Sequence, residues 1–90
     1  MKEDRDEKLL VELGARIKYL RKARNMSQYQ LAIFSGMEKS SMSRIEAGKN
    51  NLTLLTLNTI ALALEVSLAE IFEIPLPGTT SNSDPSELNK

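Results

Sequence analysis

The chain of 90 residues contains no cysteine, no histidine and no tryptophan, and only 4% of its residues are aromatic. Without cysteine or histidine it has no thiol nucleophile, no Ser–His pair and no ordinary zinc site. Its three aspartates, Asp4, Asp6 and Asp84, all lie near the ends of the chain, where a general base is hard to position. We therefore expect no catalytic residue, no bound metal and no cofactor, and we predict that the protein is not an enzyme.

Glycine and long apolar runs are also scarce. The four glycines form no phosphate-binding loop motif, and every apolar run is far shorter than the roughly 20 residues of a membrane span. The charged amino terminus does not resemble a signal peptide. We therefore expect no membrane association and a cytoplasmic location, which the absence of cysteine fits.

The formal net charge of zero conceals an uneven distribution. Residues 1–12 carry −2, residues 13–51 carry +6 and residues 52–90 carry −4. A basic segment between acidic flanks is typical of a face that binds a polyanion. Because solvated helix surfaces also carry lysine and arginine without any ligand, charge alone leaves both interpretations open.

Every strong periodicity in the sequence is helical, which predicts an all-α fold of five helices. Leu9, Leu13, Ile17 and Leu20 form one stripe of a first helix that ends near Asn25. Ser27-x-x-Gln30 and Ser67-x-x-Glu70 are capping boxes that open the second and fifth helices. Gly36 and Gly48 end the second and third, the third covers about 39–47, and the fourth covers about 54–64.

A chain this short buries only about 60% of its unfolded surface, so we expect economical packing together with a partner subunit. The predicted core of the second to fifth helices consists of Leu31, Ala32, Phe34, Met42, Ile45, Leu54, Leu57, Ile60, Ala61, Leu64, Leu68, Ile71 and Phe72. We divide the chain into an N-terminal extension (1–8), a helical domain (9–74) and a disordered tail (75–90), because the residues after Ile74 are rich in proline and small polar types.

The two helices joined at Gly36 have the spacing of a helix-turn-helix. If Met42 and Ile45 face the core, four residues of the third helix remain on its outer side: Ser40, Ser43, Arg44 and Ala47. A face without large apolar residues can approach base edges in the ~12 Å major groove of DNA. An ordinary two-helix turn with a solvated outer face has the same pattern.

Three stretches carry a family resemblance: LGARIKYLRKARNMSQYQLA, SSMSRIEAGKNNLTLLTL and IALALEVSLAEIF. Residues 13–72 resemble the phage-repressor-like (XRE, Cro/repressor-type) helix-turn-helix family, and Ser-Gln-x-x-Leu-Ala with Ser-Arg-Ile-Glu-x-Gly makes the match specific. The resemblance implies a compact five-helix lambda-repressor-like domain whose third helix reads the major groove. The implied function is a sequence-specific, double-stranded DNA-binding transcriptional regulator. Asn51-Leu-Thr-Leu is also similar to the controller proteins of restriction–modification systems, which are small dimers of this family.

The resemblance implies roles for individual residues. Base edges would be contacted by Lys39, Ser40 and Arg44, of which Arg44 could bind either guanine or a phosphate. The DNA backbone would be contacted by Gln28, Ser43, Lys49 and Asn51. Arg21 and Glu46 match a partly buried ion pair that holds the first helix on the third.

Three positions depart from the family pattern. Glu38 replaces the usual Ser, Thr or Asp cap of the third helix, and Glu65 replaces the glycine that commonly ends the fourth. Leu52 stands where many members have proline.

The fourth helix predicts a homodimer. Leu55 and Leu62 lie seven residues apart, outside the core stripe. A protein that binds a two-fold symmetric DNA site as a dimer needs an interface that is the same on both subunits. Two scattered exposed leucines are otherwise normal. The alternative function is an antitoxin-type protein-interaction module that holds an unknown protein partner and binds DNA only secondarily.

Overall fold

The computed structural model describes residues 4–75, and this part of the chain folds into five α-helices without a strand. The helices are α1 (Asp4–Ala23), α2 (Gln28–Phe34), α3 (Lys39–Glu46), α4 (Leu54–Leu64) and α5 (Leu68–Ile71). The all-α prediction is confirmed. Residues 4–8, which the sequence assigned to an extension, continue α1, and residues 76–90 of the predicted tail lie outside the described range. No helix between residues 4 and 75 has both the length and the apolar character needed to cross a bilayer.

Local side-chain caps begin most of the short helices. The Ser27 hydroxyl accepts a hydrogen bond from the Gln30 N–H at 3.0 Å, and the Gln30 side chain accepts one from the Ser27 N–H at 2.8 Å. Ser67 and Glu70 make the same reciprocal pair at the start of α5. Glu38 precedes α3 without any side-chain cap bond, as its departure from the usual cap residues predicted.

The core is one cluster to which all five helices contribute. Its twelve buried apolar residues are Leu13, Ile17, Leu20, Leu31, Ala32, Met42, Ile45, Leu57, Ile60, Ala61, Leu64 and Ile71. Leu52 and Leu68 are half-buried against it.

The core prediction is wrong for three residues, which are exposed. Leu54 is 62% exposed, Phe34 is 65% exposed and Phe72 is 41% exposed. Leu54 is the first residue of α4, Phe34 is the last residue of α2, and Phe72 follows the last turn of α5. Side chains at the ends of short helices have fewer neighbours to cover them, and helical periodicity does not reveal where that cover stops.

Glycine allows α1 to lie directly against the C-terminal end of α3. A Cβ atom added to buried Gly14 would lie 2.4 Å from the Ile45 carbonyl oxygen and 2.6 Å from that of Glu46. Only a residue without a side chain permits this approach of two backbones. Before the start of α3, Gly36 adopts a φ of +71° in the turn between α2 and α3. These two positions set the orientation of α3 in the fold.

Candidate nucleic-acid interface

Helix α3 has one side in the core and one side in solvent. Met42 is fully buried and Ile45 is 4% exposed, so they hold the inner side against the other helices. Lys39, Ser40, Ser43, Arg44 and Ala47 are all exposed. The sequence predicted this division correctly. It leaves an outer face of small polar and basic side chains, which we call the α3 face (Lys39, Ser40, Ser43, Arg44 and Ala47).

Arg21 and Glu46 form a bidentate ion pair beneath this face. Arg21 Nε donates to Glu46 Oε2 at 2.6 Å and Arg21 Nη2 donates to Oε1 at 3.1 Å. Arg21 Nη1 also donates to the Met26 carbonyl at 2.7 Å. The two side chains are only 9% and 2% exposed, so the pair is shielded from solvent. It connects the end of α1 to the last turn of α3.

Gln28 joins the same buried carboxylate. Its Nε2 donates to Glu46 Oε1 at 3.0 Å, so Glu46 accepts three hydrogen bonds from two other helices. A buried carboxylate that is both paired with a cation and hydrogen-bonded through both oxygens avoids much of the cost of burying a charge. Sequence reasoning assigned Gln28 to the DNA backbone and missed this contact. Since the amide nitrogen carries two hydrogens, one remains for another acceptor.

Arg44 turns toward the loop that follows α3. Its Nε donates to Asn50 Oδ1 at 2.9 Å, and its Nη2 lies 3.5 Å from the Lys49 carbonyl oxygen. The loop is tied to the same residue through the backbone, because the Lys49 N–H donates to the Arg44 carbonyl at 2.9 Å. Sequence reasoning did not single out Asn50. A spacing of six residues across a helix end belongs to no periodic pattern that could have revealed it.

One basic and one polar side chain extend the α3 face into this loop. Lys49 and Asn51 are exposed, and Lys49 directly follows the turn at Gly48 that ends the helix. Lys49, together with Lys39 and Arg44, gives this side of the molecule an excess of positive charge, which exposed Glu38 reduces at the helix start. Anionic polymers are attracted to such a surface.

The α2–turn–α3 unit lies within the segment that matches a family model. Residues 16–76 match the Cro/C1-type helix-turn-helix DNA-binding domain. The chain belongs to this family. A Cro/C1-type domain binds DNA, so the α3 face lies on a DNA-binding domain of the kind found in transcriptional regulators.

Known proteins of similar sequence and fold include two restriction–modification controllers. The chain is 34% identical over 62 residues to the competence pilus inhibition repressor of Acinetobacter baylyi. These residues make up 69% of this chain and 56% of that repressor. The structure of the controller protein C.AhdI from Aeromonas hydrophila is 35% identical, with a TM-score of 0.71 over 72% of this chain and 98% of the controller. The wild-type controller protein C.Esp1396I is 37% identical, with a TM-score of 0.67 over 72% of this chain and 84% of the controller. The predicted likeness to controller proteins is thus confirmed, whereas the chain spans only a little over half of the repressor.

Proposed function

We propose that this protein is a sequence-specific regulator of transcription that places α3 in the major groove of double-stranded DNA. The outward position of the α3 face is the observation that carries the proposal. Small side chains at Ser40, Ser43 and Ala47 allow the helix to come close to base edges, and Lys39 and Arg44 supply hydrogen-bond donors. We assign base contacts to Lys39, Ser40 and Arg44.

Residues around the α3 face are suited to hold the DNA backbone. Lys49 and Asn51 follow the helix on the same exposed loop, and Ser43 lies between the base-reading positions. Gln28 stands at the start of α2 with one amide hydrogen to donate. Contacts of this kind fix the register of the protein on the duplex, and base contacts provide the sequence information.

The protein is proposed to act as a homodimer through α4. Leu55 is 77% exposed and Leu62 is 69% exposed, which leaves two large apolar side chains on the face of α4 that turns away from the core. Exposed Phe34 lines an open groove together with Leu62, so the apolar surface continues onto the end of α2. A second copy covering this surface would give a two-fold dimer whose α3 helices reach half-sites about 34 Å apart.

Selection of bound fragments from genomic DNA tests the proposal. The purified protein should enrich fragments that share a two-fold motif with half-sites about one helical turn apart. Unrelated duplex DNA is the matched competitor and should displace the selected fragments only at far higher concentration. Enrichment of no common motif, with equal competition by unrelated DNA, would contradict sequence-specific binding.

A further inference from the structure

We propose that Asn50 is a positioning residue that holds Arg44 so that the terminal N–H groups of its guanidinium meet a guanine in each half-site. The inference rests on the proposed DNA-reading function. It identifies the base that Arg44 reads and a residue outside α3 on which that reading depends.

The hydrogen bonds of Arg44 decide which part of its guanidinium is available. Nε and Nη2 form one edge of the group, and both point to the loop, to Asn50 Oδ1 at 2.9 Å and to the Lys49 carbonyl at 3.5 Å. A guanidinium has five N–H donors, so the end formed by Nη1 and Nη2 keeps a pair of parallel donors. Guanine offers two acceptors, O6 and N7, on its major-groove edge, and this pair matches them.

The loop is suited to keep the guanidinium in this orientation before DNA binds. Asn50 is half-buried, and the backbone bond from the Lys49 N–H to the Arg44 carbonyl fixes the start of the loop against α3. A long side chain that is already ordered loses less conformational freedom when it binds. Without the Asn50 acceptor, Arg44 would be free to turn its Nε edge to a phosphate, which carries no sequence information.

Substitutions at Asn50 separate this role from a general effect on binding. Asn50→Leu removes the acceptor, whereas Asn50→Asp keeps an oxygen at the same place. Binding is measured on a selected operator and on operators in which single guanines are replaced by 7-deazaguanine, which lacks the N7 acceptor. Replacement of one particular guanine of each half-site should weaken DNA binding by the wild type about tenfold. This is the effect expected for the loss of half of a bidentate base contact. For the Asn50→Leu and Arg44→Ala variants, the same replacement should change the DNA affinity less than twofold.

The conservative variant and the salt dependence supply the controls. Asn50→Asp should retain the roughly tenfold effect of 7-deazaguanine, with weaker binding to every sequence because its charge repels phosphates. Asn50→Leu should steepen the plot of log K against log salt by about 0.9, the contribution of one phosphate, because Arg44 then turns to the DNA backbone. If Asn50→Leu does not fold, as judged by its circular dichroism, Asn50→Ala takes its place.

The outcomes distinguish the inference from the function on which it rests. A wild-type protein that selects no DNA sequence would overturn the proposed function. Specific binding by the wild type, with a guanine effect that Asn50→Leu fully retains, would overturn only the role of Asn50. An equal response of the wild type and Arg44→Ala to every 7-deazaguanine would show that Arg44 does not read guanine.

Discussion

Arg21 in α1 and Glu46 in α3 lie 25 positions apart in the sequence, and their side chains meet at 2.6 Å in a site from which solvent is almost excluded. The desolvation of two charges offsets much of their attraction, so the pair adds little to stability compared with apolar residues of the same shape. Its geometry, however, fixes one relative placement of the two helices. Because Gln28 binds the same carboxylate, α2 is held in the arrangement as well.

Removal of Glu46 should destabilise the fold strongly. Glu46→Ala leaves the Arg21 guanidinium buried without its counter-charge, and we expect the free energy of unfolding to fall by about 3–5 kcal/mol. Urea denaturation followed by circular dichroism measures the change. Glu73→Ala is the control, because it breaks the more exposed pair with Arg16 and should cost at most about 1 kcal/mol. Equal midpoints for Glu46→Ala and the wild type would show that the pair does not organise the fold.

A methyl group at Gly14 should also destabilise the protein. In a solvent-exposed helix, a change from glycine to alanine raises the free energy of unfolding by about 1 kcal/mol. Here the new Cβ would lie 2.4 Å from the Ile45 carbonyl oxygen, so α1 and α3 must separate, and we expect a net loss of about 1–3 kcal/mol. Ala15→Gly at the neighbouring exposed position measures the propensity effect alone, with a loss of about 1 kcal/mol. A Gly14→Ala variant more stable than the wild type would mean that the two helices are not in such close contact.

A charge on the apolar face of α4 should dissociate the proposed dimer. Leu62→Asp places a carboxylate where a second copy would bury Leu62, so the variant should sediment as a monomer at concentrations where the wild type sediments as a dimer. Tyr29→Asp changes another exposed apolar side chain, on α2, and should leave the dimer intact. A wild type that remains monomeric at all concentrations would refute the dimer, and a dimeric Leu62→Asp variant would place the interface elsewhere.

Lys49 should contribute to the salt dependence of binding, and Lys39 to the sequence preference. Each phosphate that a lysine neutralises changes the slope of log K against log salt by about 0.9, so Lys49→Ala should reduce the slope by about this amount. Because we assign Lys49 to the DNA backbone, Lys49→Ala should reduce the affinity for all DNA sequences by the same factor. Lys18→Ala, on the exposed side of α1, is the control and should leave the slope unchanged. A slope that Lys49→Ala leaves unchanged would show that Lys49 does not contact a phosphate.

Sequence patterns predicted the features that depend on neighbouring residues. The capping boxes at Ser27 and Ser67 begin helices where expected, and α4 covers the predicted residues, because these signals act within one or two turns. The unusual Glu65 ends α4 with a φ of +59°, so the helix stops where a glycine would have stopped it. The left-handed conformation costs energy in a residue with a side chain. Two hydrogen bonds that Arg24 donates to the Glu65 carbonyl and carboxylate offset part of this cost.

Features that depend on the meeting of distant elements were not predictable in this way. The exposure of Leu54 depends on which helices extend past the start of α4. The bond from Gln28 to Glu46 needs the relative rotation of α2 and α3, and the bond from Arg44 to Asn50 needs the path of a loop. The Arg21–Glu46 pair was expected only because the family resemblance supplied it, since a charge pair 25 residues apart leaves no local signal.

The central claim is that Ser40 and Arg44 read bases from the outer side of α3. Its most direct test is to select bound sequences in parallel with the wild type, Ser40→Ala and Arg44→Ala, and to compare the base preferences position by position. We predict that each variant loses preference at a discrete position of each half-site and keeps it at the others. A uniform loss of affinity for all sequences, or preferences identical to those of the wild type, would contradict the claim.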